Sequence, residues 1–360
     1  MRIAIVGAGL AGLGSAAALV RAGHRVSVFE QADELRARGL AITLWSNATS
    51  LLPELGVPAG DVPGEPFERM LLRAGGDDVA AIDLTARGLP HVGVERAAIL
   101  TALARTLPAG TGRYGARRDD ARALAAEYDL VIVADGQNSA LADAVAAPPR
   151  RRWTWTVWQA CVTVDLPEVP PGSGASVPCP GTFVGIWRLA GDRVTWFVEQ
   201  PGRANGSGAD LLARMRDDPD PVVRRLAAAT APDQWVEWRA QDRWPRRTLH
   251  RGNVVLVGDA AHATLPTLGQ GACQAIEDAA VLARTFAVED TVEGALRRYE
   301  RIRVPRVRRV VAMSRVGALG RRPNPMTRAM PEGAAARQMA RAGGPMLRRM
   351  SRPRNPSIGP

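Results

Sequence analysis

Gly7, Gly9 and Gly12 stand in G-x-G-x-x-G spacing directly after the apolar run Ile3-Ala4-Ile5-Val6, and Glu30 ends a second apolar run, VSVFE. That pattern suits a diphosphate. Gly7 permits the tight turn from strand to helix, Gly9 lets a pyrophosphate approach the backbone, and Gly12 lets the helix pack closely on the strand. Small Ala16 helps on the same side, and Gly23 continues the pattern. Leu10 and Ala11 open the helix, whose free N–H groups and positive end favour phosphate. Glu30, with Gln31 beside it, can accept hydrogen bonds from a ribose diol. These residues fit a dinucleotide without separating NAD from FAD.

A second stretch of the same kind is GDAAHATLPTLGQGACQAIEDA, residues 258–279, which follows Val254-Val255-Leu256-Val257. Strand, sharp turn and helix N-terminus again make a place for something polar and anionic. Asp259, Pro266, Gly269, Gln270, Gly271 and Ala272 are its candidate residues. His262 could be a base or a packing residue, and the packing role is the expectation. Glu277 and Asp278 fall in the first turns of a helix, where acids are favoured by the dipole, and no chemistry is assigned to them.

Three more stretches complete the set: RARGLAITLWSNA (36–48), VERAAILTAL (94–103) and DLVIVADGQNS (129–139). With the two glycine turns, they resemble the class A FAD-dependent aromatic hydroxylases, the family of the para-hydroxybenzoate hydroxylase fold, over roughly residues 1–310. The resemblance implies that Gly7, Gly9, Leu10, Ala11, Gly12, Glu30 and Gln31 hold the ADP half of non-covalent FAD. It implies that Arg38 and Ala41 lie in the segment covering the flavin, and that Arg96 contacts FAD from a helix start. Asp135, before Gly136, matches the motif linked to both FAD and NAD(P)H. Asp259 would accept from a ribityl hydroxyl. Pro266 and Gly269, with Gln270, Gly271 and Ala272, would line the isoalloxazine and position flavin and substrate. The implied reaction is hydroxylation or epoxidation of an aromatic or polycyclic small molecule with NAD(P)H and O2, through a flavin C4a-hydroperoxide. A flavin oxidase or dehydrogenase, or a non-catalytic accessory protein of the same fold, are the alternatives.

Two departures are visible. The family motif ends Ser-x-x-Arg, whereas Ser139 is followed by Ala140-Leu141-Ala142. Between the Arg96 segment and Asp135 there is room for one strand, a short helix and the next strand, not for the family's small β-meander.

The elements that must position these residues follow from pattern. We expect an α/β protein. A Rossmann-like, glutathione-reductase-like FAD domain would comprise residues 1–62, 93–149 and 246–294. An interleaved antiparallel substrate sheet would comprise 63–92 and 150–245, and a helical, Arg-rich segment 295–360. Alternating runs such as TWTVWQACVTVDL and DRVTWFVEQ, separated by Pro- and Gly-rich turns, support the sheet. Eight of the nine Trp lie between Trp153 and Trp244. Most suit ordinary core packing. Trp153, Trp155 and Trp187 alternate with polar neighbours, so some share a face and could line an aromatic pocket.

Charge is uneven. The 360 residues carry a formal +11 without a single Lys, and residues 295–360 hold 17 Arg against Glu300 and Glu332. The body is mildly acidic and the tail strongly basic. That tail fits a solvated helical face, packing against the body, or docking on an acidic partner. With only Tyr299 among its aromatics it has no nucleic-acid signature. Pro305 should kink or interrupt the helix that begins near Val292. No apolar run reaches the ~18 residues of a membrane span. Cys161, Cys179 and Cys273 are an odd, widely spaced three, with no disulfide framework or metal-type pair. A cytoplasmic protein without a metal is expected.

Overall fold

The computed structural model describes residues 1–36, 40–85, 91–146, 153–179, 182–202 and 206–320, with isolated positions between 333 and 349. Arg38 and any helix beyond 320 lie outside the described residues.

Two sheets organise the chain. In the six-stranded sheet, Arg2–Val6 lies between Arg25–Phe29 and Leu130–Val133, all parallel. Gly112–Arg113 extends one side, and Val254–Leu256 the other, both parallel. His250–Arg251 closes the second edge antiparallel. Ile3, Ile5, Leu130, Val131, Ile132 and Val255 are fully buried, as a parallel sheet covered on both faces requires. The connection before Asp135 is the expected strand, short helix (Ala121–Glu127) and strand.

In the second sheet the strand order is Val236–Gln241, Thr154–Thr163, Arg193–Pro201, Thr182–Arg188, Gly172–Cys179, Gly64–Ala74, His91–Glu95, Ala41–Leu44, with Asp77–Asp83 paired to Gly64–Ala74. The strands Gly64–Ala74 and Asp77–Asp83 belong to this sheet. The sheet is antiparallel except at one seam, where Gly172–Cys179 runs parallel to Gly64–Ala74. That seam exists because the chain leaves after the first strands, builds part of the other sheet, and returns. Ala41–Leu44 pairs with His91–Glu95 in this sheet, so the segment after Glu30 passes from one sheet to the other.

The sheet has two unlike faces. Trp158, Trp196 and Trp235 are buried on the side backed by the helices Gly208–Arg216 and Pro221–Ala229. Trp196 stacks on Trp235 at 4.5 Å and donates its indole N–H to Thr230 Oγ1 at 3.0 Å. The opposite face carries Trp155, Val157, Gln159, Trp187, Phe197 and Trp238, placed there by two-residue alternation and cross-strand register. Gln159 reaches across from this face to the Ala41 carbonyl at 2.9 Å.

The helix Val292–Gly320 passes through Pro305 without interruption. Proline removes one hydrogen bond there. Tyr299, Arg303, Val307 and Val310 bury the same helix on either side of it, and that packing holds the helix together.

Trp196→Ala should cost about 3–5 kcal/mol, from the lost ring and the cavity left behind. Urea denaturation of the purified protein measures it. Because Trp196 points away from the other sheet, cofactor affinity should stay unchanged.

Candidate functional site

The first half-site is built by backbone. Gly7 has φ +104°, and a Cβ there would collide with the Ala134 carbonyl. A Cβ on Gly12 would strike the Gly7 carbonyl oxygen. At Gly9, by contrast, a Cβ would meet nothing within 4 Å. Gly9 starts the helix Leu10–Arg21 with no side-chain cap. Its first N–H groups are therefore available to a ligand. Glu30 is fixed at the strand end by the Ala8 and Ala32 N–H groups, at 2.8 and 3.0 Å. Each of its oxygens keeps a further lone pair. Gln31 beside it is exposed, and Leu10 and Ala11 are buried.

The second half-site meets the first. Gly258, at φ +57°, turns so closely past the N-terminal helix that its Cβ would lie 2.6 Å from Ala11 Cβ. Asp259 follows, exposed at the start of the helix Asp259–His262, which also has no side-chain cap. Arg96, the first residue of the helix Arg96–Arg105, lies in the field of Asp259. Burial pushes the Arg96 guanidinium below its usual range, and the Asp259 carboxylate works against that. The chain then makes a short turn, Pro266–Leu268, and a left-handed Gly269 at φ +60°. Gly271 begins the helix Gly271–Phe286, with Ala272 half-buried beside it.

Asp135 is exposed just after Leu130–Val133 and bonds to Ser139. The position of the missing motif Arg is Ala142, fully buried. Guanidinium groups reach this turn from elsewhere: Arg243 donates to the Gln137 carbonyl at 2.9 Å, and Arg246 pairs with Asp143 at 2.7 Å.

The aromatic wall is the sheet face described above. Phe197 lies flat over Gly185 and Trp187 over Gly174, each its direct cross-strand neighbour, where any Cβ would strike the ring. Trp45, the one Trp outside the insertion, was not anticipated. It packs against Trp187, His91 and Phe67 with centroids 6.3, 5.1 and 5.9 Å away. A Cβ on Gly269 would be 2.8 Å from its indole nitrogen. Trp45 thus joins the turn to the wall. Nothing in its local sequence, Leu44-Trp45-Ser46, set it apart.

A buried charge network lies behind both turns, and the sequence did not reveal it. Asp278 is fully buried and accepts from the Gly258 N–H at 2.7 Å, and it pairs with His262 Nε2 at 2.6 Å and Arg303 Nε at 2.6 Å. Glu277 pairs with Arg303 at 2.6 Å and Arg306 at 2.7 Å, and accepts from Asn47 at 2.6 Å and Gln274 at 3.0 Å. Burial would raise the Glu277 carboxyl, but the two guanidinium groups and Asn47 outweigh it and hold it at about 2. For Asp278 too, burial is overcome by His262, Arg303 and the Gly258 N–H, which hold it well below the carboxylate range. His262 is therefore a packing and pairing residue. Glu277 and Asp278 answer to buried arginines, not to the helix dipole. Cys273, whose thiol burial pushes up to about 12, accepts the Trp45 backbone N–H at 3.3 Å.

The site suits FAD. Two uncapped helix starts, a space at Gly9 that a side chain would fill, Glu30 at the strand end and exposed Asp259 match a phosphate, sugar and sugar-alcohol chain in turn. Trp45 brings the aromatic face and the Gly269 turn together. Fold and site define an FAD-dependent aromatic hydroxylase.

Comparison with known proteins agrees. The profile of the FAD binding domain matches residues 85–314, and that of an NAD(P)-binding Rossmann-like domain matches residues 5–46. The chain belongs to this FAD-binding family. It is 31% identical to the FAD-dependent urate hydroxylase of Klebsiella pneumoniae, over 88% of this chain and 89% of that one. It is 32% identical to the 3-amino-4-hydroxybenzoate 2-monooxygenase PtnB3 of Streptomyces platensis, over 87% of each. The crystal structure of Klebsiella pneumoniae HpxO complexed with FAD and uric acid superposes with a TM-score of 0.81 at 28% identity, covering 97% of this chain and 93% of that one. Its relatives are FAD-dependent monooxygenases, and this chain is one. Among the described residues no helix is long and apolar enough to cross a membrane.

Two outcomes follow. Gly9→Val should leave the apoprotein's melting temperature unchanged but lower FAD affinity at least about tenfold, as measured by fluorescence titration. A depressed carboxyl contributes stability that is complete above its unfolded value and is lost as pH falls through its folded value. Unfolding free energy should therefore drop between pH 4.5 and about 2, and the Glu277 share of that drop should vanish in Glu277→Gln.

Proposed function

We propose that this enzyme uses NAD(P)H and O2 to place one oxygen atom on an aromatic or polycyclic small molecule, by hydroxylation or epoxidation. The observation that carries the reading is the aromatic face of Phe197 and Trp187, which Trp45 joins to the Gly269 turn. Bound FAD would supply the redox chemistry that links NAD(P)H to O2. The protein's part is binding, orientation and exclusion of water.

Gly7, Gly9, Gly12 and the Leu10 and Ala11 amides would hold the pyrophosphate, Glu30 the ribose, and Asp259 a ribityl hydroxyl. Asp259 sits where Arg96 offsets its charge. Pro266 and Gly269 would set the height of the ring against the wall, and Ala41 joins that region to the sheet through Gln159. Aromatic faces beside the reacting position keep water away, and dryness protects a reactive oxygen species from wasteful decay. Arg243 and Arg246 place positive charge beside the Asp135 turn, which suits an approaching phosphate-bearing reductant. Relatives named for urate and 3-amino-4-hydroxybenzoate support a small, planar substrate.

Turnover of an aromatic panel under ¹⁸O2 with NADH or NADPH tests this. One labelled atom in the product, with coenzyme oxidation faster when substrate is present, is the expected result. Turnover with no label, and peroxide equal to the coenzyme consumed, would make the protein an oxidase or dehydrogenase. Asp259→Ala should lower flavin occupancy, since a hydrogen bond to a charged group contributes on the order of 1.5–3 kcal/mol.

A further inference from the structure

The basic helix Val292–Gly320 lies along the whole second turn. Tyr299 donates to the Leu256 carbonyl at 3.3 Å, just before Gly258. Arg303 holds Asp278, and Asp278 holds the Gly258 N–H and His262. Farther along, Thr267 donates to the Ser314 carbonyl at 2.7 Å, and Thr264 to Ser314 Oγ at 2.8 Å. Val310 packs on Leu268. This helix therefore holds Leu256, Thr264, Thr267 and Leu268 directly, and Gly258 and His262 through Asp278 of the helix Gly271–Phe286. The same turn bears exposed Asp259 and the left-handed Gly269.

The first half-site has a different frame. Gly7, Gly9, Gly12 and Glu30 are set by the strands Arg2–Val6, Arg25–Phe29 and Leu130–Val133.

We propose that Asp278 and Arg303 are positioning residues for the flavin end of the cofactor, making the C-terminal helix a working part of the FAD site and not a docking arm. The carboxylate acts through a backbone amide: it fixes the Gly258 peptide and so the direction in which Asp259 leaves the turn. Arg303 keeps that carboxylate in place and transmits the position of the helix. The proposal rests on the reading of Asp259 as a flavin ligand.

The two halves of the cofactor separate this role from general stability. ADP engages only the first half-site, whereas FAD needs both. Full-length wild-type, Asp278→Asn and Arg303→Lys apoproteins are titrated with FAD and with ADP. FAD affinity should fall at least about tenfold in both variants while ADP affinity holds within about twofold. The double variant should be no weaker than the worse single one, because the two residues act as one unit. Equal loss of FAD and ADP affinity, or no loss of FAD affinity, overturns the proposal. Should Asp278→Asn not fold, Thr267→Val removes the hydroxyl bond to Ser314. It should still weaken FAD selectively, and unchanged FAD affinity there overturns the proposal. Wild-type apoprotein that binds ADP but not FAD overturns the flavin reading of Asp259, and this proposal with it.

Discussion

Two buried carboxylates, Glu277 and Asp278, set the terms for the rest of this molecule. A buried charge is tolerated only when it is paired and hydrogen-bonded. Here Arg303, Arg306, His262, Asn47, Gln274 and one backbone amide do the pairing. Removing one partner of such a pair leaves a bare charge behind, at a cost of about 3–5 kcal/mol. The C-terminal helix therefore has one docked position, and the Gly258 turn has one shape. Both consequences reach the flavin end of the cofactor site, because the Gly258 turn leads directly into Asp259.

The second organising device is the economy of small residues opposite large ones. Gly185 under Phe197, Gly174 under Trp187 and Gly269 beside Trp45 allow three rings to approach backbone where any other residue would hold them off. The wall is flat because its floor has no side chains. A sheet that bends around the other domain can then offer apolar surface to a planar guest, while Trp158, Trp196 and Trp235 supply the core behind it.

The residues of the two glycine turns were legible in the sequence, because their signals are local: a backbone conformation, a missing Cβ and a helix start, all within a few positions. The α/β class, the interleaved sheet and the short connection before Asp135 were legible for the same reason. The buried network was not. Arg303 and Glu277 are 26 residues apart, and nothing in a run rich in Arg marks which of them turn inward. Net charge alone left a solvated face, packing on the body and docking all open, whereas Arg303 and Arg306 are among the buried side chains. For a related reason Pro305 does not end the helix, since the cost of one lost hydrogen bond is local and the packing that offsets it is not. Trp45 escaped notice because a lone aromatic gains meaning only from its neighbours, Phe67, His91 and Trp187, which come from other strands.

A crystal structure of the FAD-loaded protein tests the central claim most directly, that strand-set and helix-set turns together hold one FAD against the aromatic wall. It should show the pyrophosphate on the Leu10 and Ala11 amides, Asp259 on the ribityl chain, and the isoalloxazine between the Gly269 turn and Phe197. An isoalloxazine bound outside that space, with Asp259 facing solvent and the Gly258 peptide released from Asp278, would contradict it.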